Sequence, residues 1–414
     1  MAGSEDSETL TRQLQLADVQ AARDRMAGKL KPTPINHSAF FSRAWGCDVF
    51  FKLESLHPTG SFKERGALNK MLAMPVAERG NGVITASAGN HGQALAYHAG
   101  HLAIPCTVVM PINTPLIKMQ NTKSHGATVV MEGATFDDAA DHARRLCAEQ
   151  NLTYVHGFDD PDIIAGQGTM GLELLEQLPD MDAVVIPVGG GGLLAGTALT
   201  LKESRPSIRI IGVQSSHCQS MIAAMDGGAP QTVPPDRTIA DGIAVRRVGA
   251  QCLELARRYT DQMVAVDEDE IANAILLLLE RDKKVVEGAG AVGFAAVHNR
   301  HVSLEGKKVV IVLSGGNIDV NLLARIIVRG LAKDGRLVSL RVVVPDNPGQ
   351  LARILQVVAD LRANIMEVSH NRAFGNAAAG ETTIDLTLET RGPDHIEEIQ
   401  RALLAHGVHT TRQT

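Results

Sequence analysis

The feature that most limits what this chain can become is an alternation of short, uninterrupted apolar runs with stretches of helical spacing. Asp48–Leu53, Gly82–Ala86, Cys106–Met110, Thr128–Met131, Ala183–Val188, Ile208–Val213 and Lys308–Leu313 read as strands. Leu16–Leu30, closed by Lys31-Pro32-Thr33-Pro34, reads as a first helix. Gln93–Gly100, Pro115–His125, Phe136–Gln150, Gly168–Gln177, Leu193–Glu203 and Ile271–Lys283 read as helices between strands. A strand that is apolar on both faces has to be covered on both faces, as in parallel sheets built from βαβ units. Residues 1–330 are expected to form one α/β catalytic unit of two lobes.

Around Arg329–Arg336 the pattern changes. Leu337–Val344 reads as a strand, and Asp346-Asn347-Pro348-Gly349 as a helix start with proline in the first position. Leu351, Ile354, Leu355, Val358 and Leu361 then recur at helical spacing. Asn364–Ala373 and Thr382–Thr390 read as strands, Pro393–His406 as a helix and Val408–Thr411 as a short last strand. The order βαββαβ is the ferredoxin-like split motif and makes residues 331–414 a second, smaller domain.

Composition removes several classes of function. A chain of 414 residues with 44% hydrophobic and 21% charged residues can bury more than one core. A net charge of −6 and only 3% aromatic residues argue against a nucleic-acid surface. The odd, scattered set Cys47, Cys106, Cys147, Cys218 and Cys252 suits a reducing compartment better than disulfides or zinc. Ala2–Thr9 resembles neither a secretory nor a transit signal, and the longest apolar run, Ile275–Leu279, cannot span a bilayer. A cytoplasmic protein is expected.

In parallel α/β sheets, ligands sit where strands lead into helices at their carboxyl ends. Ser87-Ala88-Gly89-Asn90-His91-Gly92-Gln93 is one such loop, able to offer N–H groups to an anion or to serve as a plain capped turn. Gly189-Gly190-Gly191-Gly192-Leu193 is a second, and four glycines at a helix mouth favour a phosphate cradle over a simple turn. Gly190, Gly192 and Ala195 also fit a dinucleotide fingerprint, but the next strand ends in Gln214-Ser215-Ser216, without the carboxylate that would hold a ribose. Ser314-Gly315-Gly316-Asn317 is a third loop. Pro58-Thr59-Gly60-Ser61-Phe62-Lys63-Glu64-Arg65 is a turn with a capping-box pattern, Ser61 to Glu64, opening a helix. Lys63 would then stand in the first turn, where the helix dipole disfavours its charge and favours a nucleophilic amine.

Ser61–Ala67, Ser87–Gln93, Gly189–Leu193, Val286-Glu287-Gly288-Ala289-Gly290 and Ser314–Asn317 together resemble the fold-type-II pyridoxal-phosphate enzymes, most closely the threonine dehydratases. The resemblance implies that Lys63 holds pyridoxal 5'-phosphate covalently, with Phe62 packed near the ring. It implies that Asn90 bonds the ring hydroxyl, that Gly189, Gly190, Gly191, Gly192 and Leu193 hold the phosphate, and that Ser314 meets the pyridine nitrogen. Ser87, Ala88, Gly89, Asn90 and His91 would clamp the substrate carboxylate. The implied reaction is β-elimination of L-threonine to 2-oxobutanoate and ammonia, with L-serine as a secondary substrate. A dehydratase or racemase of serine or 3-hydroxyaspartate is the alternative. Serine racemases are similar but carry a serine at Ala88 and a metal-binding carboxylate at Gln214; both departures favour the dehydratase and no metal. A non-catalytic sensor is disfavoured by the intact Lys63 and glycine loop.

Asp346-Asn347-Pro348-Gly349-Gln350-Leu351 resembles the start of an ACT domain, which implies an amino-acid effector near this junction and Asn364, or else a dimerisation module. The biosynthetic dehydratases usually double this region, so a single copy leaves the effector open. The resemblance also implies a homo-oligomer, dimer or tetramer.

Overall fold

The computed structural model describes residues 13–234, 236–372 and 378–413. Two compact units divide between Ile318 and Asp319, so the helix Val320–Lys333 falls on the side of the second.

Ten strands build two sheets in the first unit: β1 (Ile35–His37), β2 (Asp48–Leu53), β3 (Val83–Ala86), β4 (Cys106–Met110), β5 (Thr128–Met131), β6 (Thr153–Tyr154), β7 (Ala183–Pro187), β8 (Arg209–Ser215), β9 (Gln262–Val266) and β10 (Lys308–Leu313). The larger sheet has the order β1-β2-β10-β7-β8-β9, parallel except for the edge strand β1. The smaller has the order β5-β4-β3-β6 and is wholly parallel. Every residue of β3 and β7 is buried, as the apolar runs required. The two-lobed parallel architecture expected from the sequence is therefore present.

Helix ends moved where capping outweighed the apolar pattern. The helix expected from Gly168 starts at Pro161, because Asp160 accepts from the N–H groups of Asp162 (2.8 Å) and Ile163 (3.2 Å) with proline in the first position. This helix, Pro161–Gln177, is the pillar behind the site. Gly66 of the lysine helix and Gly166 meet so closely that a Cβ on Gly166 would stand 2.7 Å from the Gly66 Cα. The helix Gly192–Ser204 packs on the same pillar, and together they anchor two of the four loops. Elements not anticipated include β1, β6 and β9, the helices Ala39–Trp45, Val76–Arg79, Ser220–Gly227, Ala250–Tyr259 and Val320–Lys333, and the glycine-rich helix Gly288–His298, buried from Gly288 to Val297.

The second unit is a four-stranded antiparallel sheet of β11 (Leu337–Pro345), β12 (Asn364–Asn371), β13 (Glu381–Glu389) and β14 (Thr410–Gln413), in the order β12-β13-β11-β14. With helices Gln350–Asp360 and Pro393–Ala405 it has the expected βαββαβ order. Its core gathers Leu340, Val342, Ile354, Val358, Ile384, Leu386, Ile399 and Leu403. The first of these helices starts at Gln350, not at Pro348: Gly349, at φ +91°, takes the cap position. The end of the expected strand at Ala373 lies outside the described residues. Among the described residues, no helix is long and apolar enough to cross a membrane.

Candidate active site

Lys63 opens the helix Lys63–Ala73, but not through the expected capping box. Ser61 is held in an antiparallel bridge with Gly315, and Phe62, in helical geometry, stands at the cap position with no side-chain cap bond. Glu64 instead accepts from the Thr59 N–H at 2.5 Å and lies 3.2 Å from His98 Nε2. The Ser61 hydroxyl is buried with no hydrogen-bond partner among the described residues. Phe62 N–H donates to Ser314 O (3.0 Å), Gly316 N–H to Gly60 O (2.9 Å) and Asn317 Nδ2 to Thr59 O (2.7 Å). These bonds stitch the lysine loop to the Ser314 loop although some 250 residues separate them in the chain.

The Lys63 amine donates to Gly157 O at 2.8 Å and lies 5.2 Å from the centroid of the Phe62 ring. Burial pushes it down to about 8, against Cys252 and Glu287, which pull it up. Desolvation is what favours the free amine here.

The glycine loop leaves β7 and enters the helix Gly192–Ser204 through Gly191, at φ +104°. A Cβ at Gly191 would stand 2.6 Å from Met221 Cε and 2.7 Å from Cys252 Cβ. The N–H groups of Gly189–Leu193 have no hydrogen-bond partner among the described residues. Five unspent donors at the amino end of a helix make an anion site.

Between β3 and the helix Asn90–His101, Ser87 Oγ accepts from the N–H groups of Gly89 (3.3 Å) and Gly92 (3.1 Å). That leaves the N–H groups of Ala88, Asn90 and His91 unspent among the described residues. The His91 ring turns away and lies 3.2 Å from Val155 O; burial first, then the Lys63 charge, push it down to about 3, so it is neutral. Asn90 Nδ2 donates to Glu287 Oε1 (2.7 Å), and Asn90 Oδ1 accepts from Asn317 Nδ2 (2.9 Å). Ser314 is buried at the end of β10, its hydroxyl without a partner among the described residues.

Two contributors escaped the sequence reading. One is the segment after β6, Val155–Asp159: it supplies the acceptors for His91 and Lys63, and its Phe158 ring lies against Gly190. A strand of two residues left no apolar run to flag it, although Asp160-Pro161 marks the helix that follows. The other is Glu287, which the sequence shows only as part of the stretch Val286–Gly290. Gln214 proves to be structural: its Oε1 accepts from the N–H groups of Met221 (3.0 Å) and Ile222 (3.1 Å), capping the helix Ser220–Gly227 from afar.

A reactive amine, an anion cradle and a buried unpartnered hydroxyl fit pyridoxal phosphate, which requires a lysine, a phosphate site and a neighbour for its ring nitrogen. Residues 27–315 match the family model of pyridoxal-phosphate dependent enzymes, and residues 338–405 that of the ACT domain. The chain belongs to the pyridoxal-phosphate dependent enzymes, fold type II, with a C-terminal ACT domain.

Within that family it is similar to the L-threonine ammonia-lyase of Thermotoga maritima, 47% identical over 392 residues, 95% of this chain and 98% of that protein. Among solved structures, threonine deaminase isoform 2 from Solanum lycopersicum is 36% identical with a TM-score of 0.71, over 75% of this chain and 91% of that one. Maize serine racemase is 32% identical with a TM-score of 0.73, over 78% of this chain and 99% of that one. The cofactor is pyridoxal 5'-phosphate and the enzyme an ammonia-lyase.

Proposed function

We propose that the chain removes water and then ammonia from L-threonine to give 2-oxobutanoate, with L-serine as a slower substrate. The observation that carries the site assignment is a desolvated Lys63 amine bonded to Gly157 O, next in the chain to Phe158, whose ring lies against Gly190 in the loop of five unspent N–H groups Gly189–Leu193. For the substrate, support comes from the threonine ammonia-lyase that is 47% identical along both domains.

When bound, pyridoxal phosphate supplies an electron sink for the substrate carbon bearing the amine. Lys63 holds it, and once displaced by the substrate amine takes the proton from that carbon. Desolvation keeps the freed amine neutral over a useful range of pH, as a general base needs. The N–H groups of Ala88, Asn90 and His91 hold the substrate carboxylate, which fixes the angle of the breaking C–H bond. The hydroxyl of the neighbouring carbon leaves as water, the proton it gains matched by the one that Lys63 takes, and hydrolysis of the released enamine gives the 2-oxo acid and ammonia. Ser314 would face the ring nitrogen; a hydroxyl would not hold it protonated as a carboxylate does, and the weaker sink would suit elimination. Phe62 would flank the ring, and Asn90 would meet its hydroxyl.

The serine racemase resemblance keeps serine chemistry as a second reading, but a racemase needs a proton carrier on the opposite face, and Ala88 has none. The ACT domain supports an amino-acid effector near Asp346–Leu351 and Asn364. We further propose a cytoplasmic homo-oligomer; the five free cysteines suit a reducing compartment.

Purified protein should be yellow, and borohydride or Lys63→Ala should abolish the visible band. Release of 2-oxo acid from threonine, serine and 3-hydroxyaspartate, measured in parallel, ranks the substrates. Absence of a covalent adduct at residue 63 after addition of pyridoxal phosphate refutes the assignment.

A further inference from the structure

One buried carboxylate at the site has no part in the reaction just derived. Glu287 precedes the helix Gly288–His298, and its backbone N–H donates to Gly315 O at 3.1 Å. Its side chain fills the space that a Cβ on Gly315 would need, so the Ser314 loop is shaped around it. Its Oε1 accepts from Asn90 Nδ2 at 2.7 Å.

These bonds leave Asn90 one orientation. Asn317 Nδ2 donates both to Thr59 O (2.7 Å) and to Asn90 Oδ1 (2.9 Å), which makes Oδ1 the acceptor. Turning the Asn90 amide over would set its oxygen against the Glu287 carboxylate and its NH2 group against that of Asn317. An amide NH2 has two protons. One goes to Glu287, and the other is directed by the same plane.

On the reading that Lys63 carries pyridoxal phosphate, we propose that Glu287 is a positioning residue: it aims the second Asn90 N–H at the cofactor's ring hydroxyl, and its negative charge favours a proton on the lysine–cofactor linkage. The carboxylate already strengthens the hold of the free Lys63 amine on its proton. Glu287 is faced by Asn90, Asn317 and Lys63, by Asp241 of the turn Asp241–Ile243, and by Lys118 of the helix Leu116–Ser124, the last two paired at 2.6 Å. Burial first, then Asp241, push Glu287 up to about 7. Its charge therefore changes near neutrality. Ionisation of Glu287 adds an anion beside a protonated nitrogen and delays loss of that proton to higher pH.

The experiment is a pH titration of the visible absorption of the holoenzyme, for wild type, Glu287→Gln, Glu287→Ala and Asp241→Asn. Glutamine still accepts from Asn90 but has no charge. The cofactor should bind, the linkage should lose its proton about one pH unit lower, and the inflection near neutrality should vanish. Alanine removes the acceptor, and cofactor affinity should fall about tenfold. Asp241→Asn, at a side chain 59% exposed, removes a charge that opposes ionisation of Glu287 and should shift the inflection to lower pH. That variant decides the matter if Glu287→Gln does not fold. A Glu287→Gln holoenzyme that titrates like wild type, or an inflection that Asp241→Asn leaves in place, overturns the proposal while the cofactor assignment stands. A wild-type protein without a borohydride-sensitive band overturns both.

Discussion

Arg65→Met tests whether the lysine helix is held by buried charge. The Arg65 guanidinium, fully buried, meets Glu54 through Nε (2.6 Å) and Nη2 (2.8 Å), and Glu173 through Nη1 (2.6 Å) and Nη2 (2.8 Å). Lys52 completes a neutral quartet at 2.5 Å from Glu173. Methionine keeps much of the volume and leaves two carboxylates facing one ammonium. Removing one partner of a buried ion pair costs about 3–5 kcal/mol. Unfolding entropy near 2 cal/mol/K per residue, over a unit ending at Ile318, turns that into a melting temperature lower by about 5–8 °C. The loss should depend on pH. Burial alone would raise Glu54, but Arg65 overrides it and holds the carboxyl well below its ordinary value. A depressed carboxyl stabilises the fold above its unfolded pKa, and that contribution is lost as pH falls through the folded value. Without Arg65 burial prevails, Glu54 rises above its unfolded value, and stability falls as pH rises between the two. Calorimetry at about pH 5 and about pH 8 should therefore show the larger loss at the higher pH. A loss below about 1 kcal/mol, or one equal at both pH values, would refute the reasoning.

Three further outcomes follow from the same geometry. In cofactor-free protein, Lys63 binds its proton only up to about 8, whereas an unfolded lysine does so up to about 10.4; urea midpoints should rise between these values, and not in Lys63→Met. Asp160→Ala removes the cap of the pillar helix and a 2.7 Å ion pair with Lys70, and should cost about 1–2 kcal/mol in denaturant titration with the visible spectrum unchanged. Gly191→Ala, at φ +104° against Met221 and Cys252, carries about 1–3 kcal/mol of strain at the anion site, so equilibrium dialysis should show cofactor affinity reduced about tenfold or more.

What the sequence made legible is what a local stretch of chain decides for itself. The run Lys308–Leu313 is a strand with those bounds because it is apolar on both faces. Four glycines at a helix mouth signal an anion site because glycine permits the turn at Gly191, φ +104°, and the close approach of Phe158 at Gly190 and Gly192. The same logic explains the misreadings. Ser61 and Glu64 have the right spacing for a capping box, yet the Glu64 carboxylate is taken by the Thr59 N–H and lies against His98, 34 positions away. β6 is two residues long, too short to show any period, and exists because β3 offers it an edge.

Glu287 shows where reading along the chain stops and chemistry begins. No spacing rule links it to Asn90, 197 positions away, and a carboxylate beside glycines looks like an ordinary helix cap. It becomes significant only when the fold brings β10, the lysine loop and the β3 loop to one place. There Gly315 has to be glycine, because the carboxylate occupies the room a side chain would take. A residue that a motif contains without marking it can thus fix the orientation of one that a motif does mark. In a site assembled from separate loops, the groups proposed to hold the cofactor are readable from local pattern, and the groups that orient them are readable only from packing.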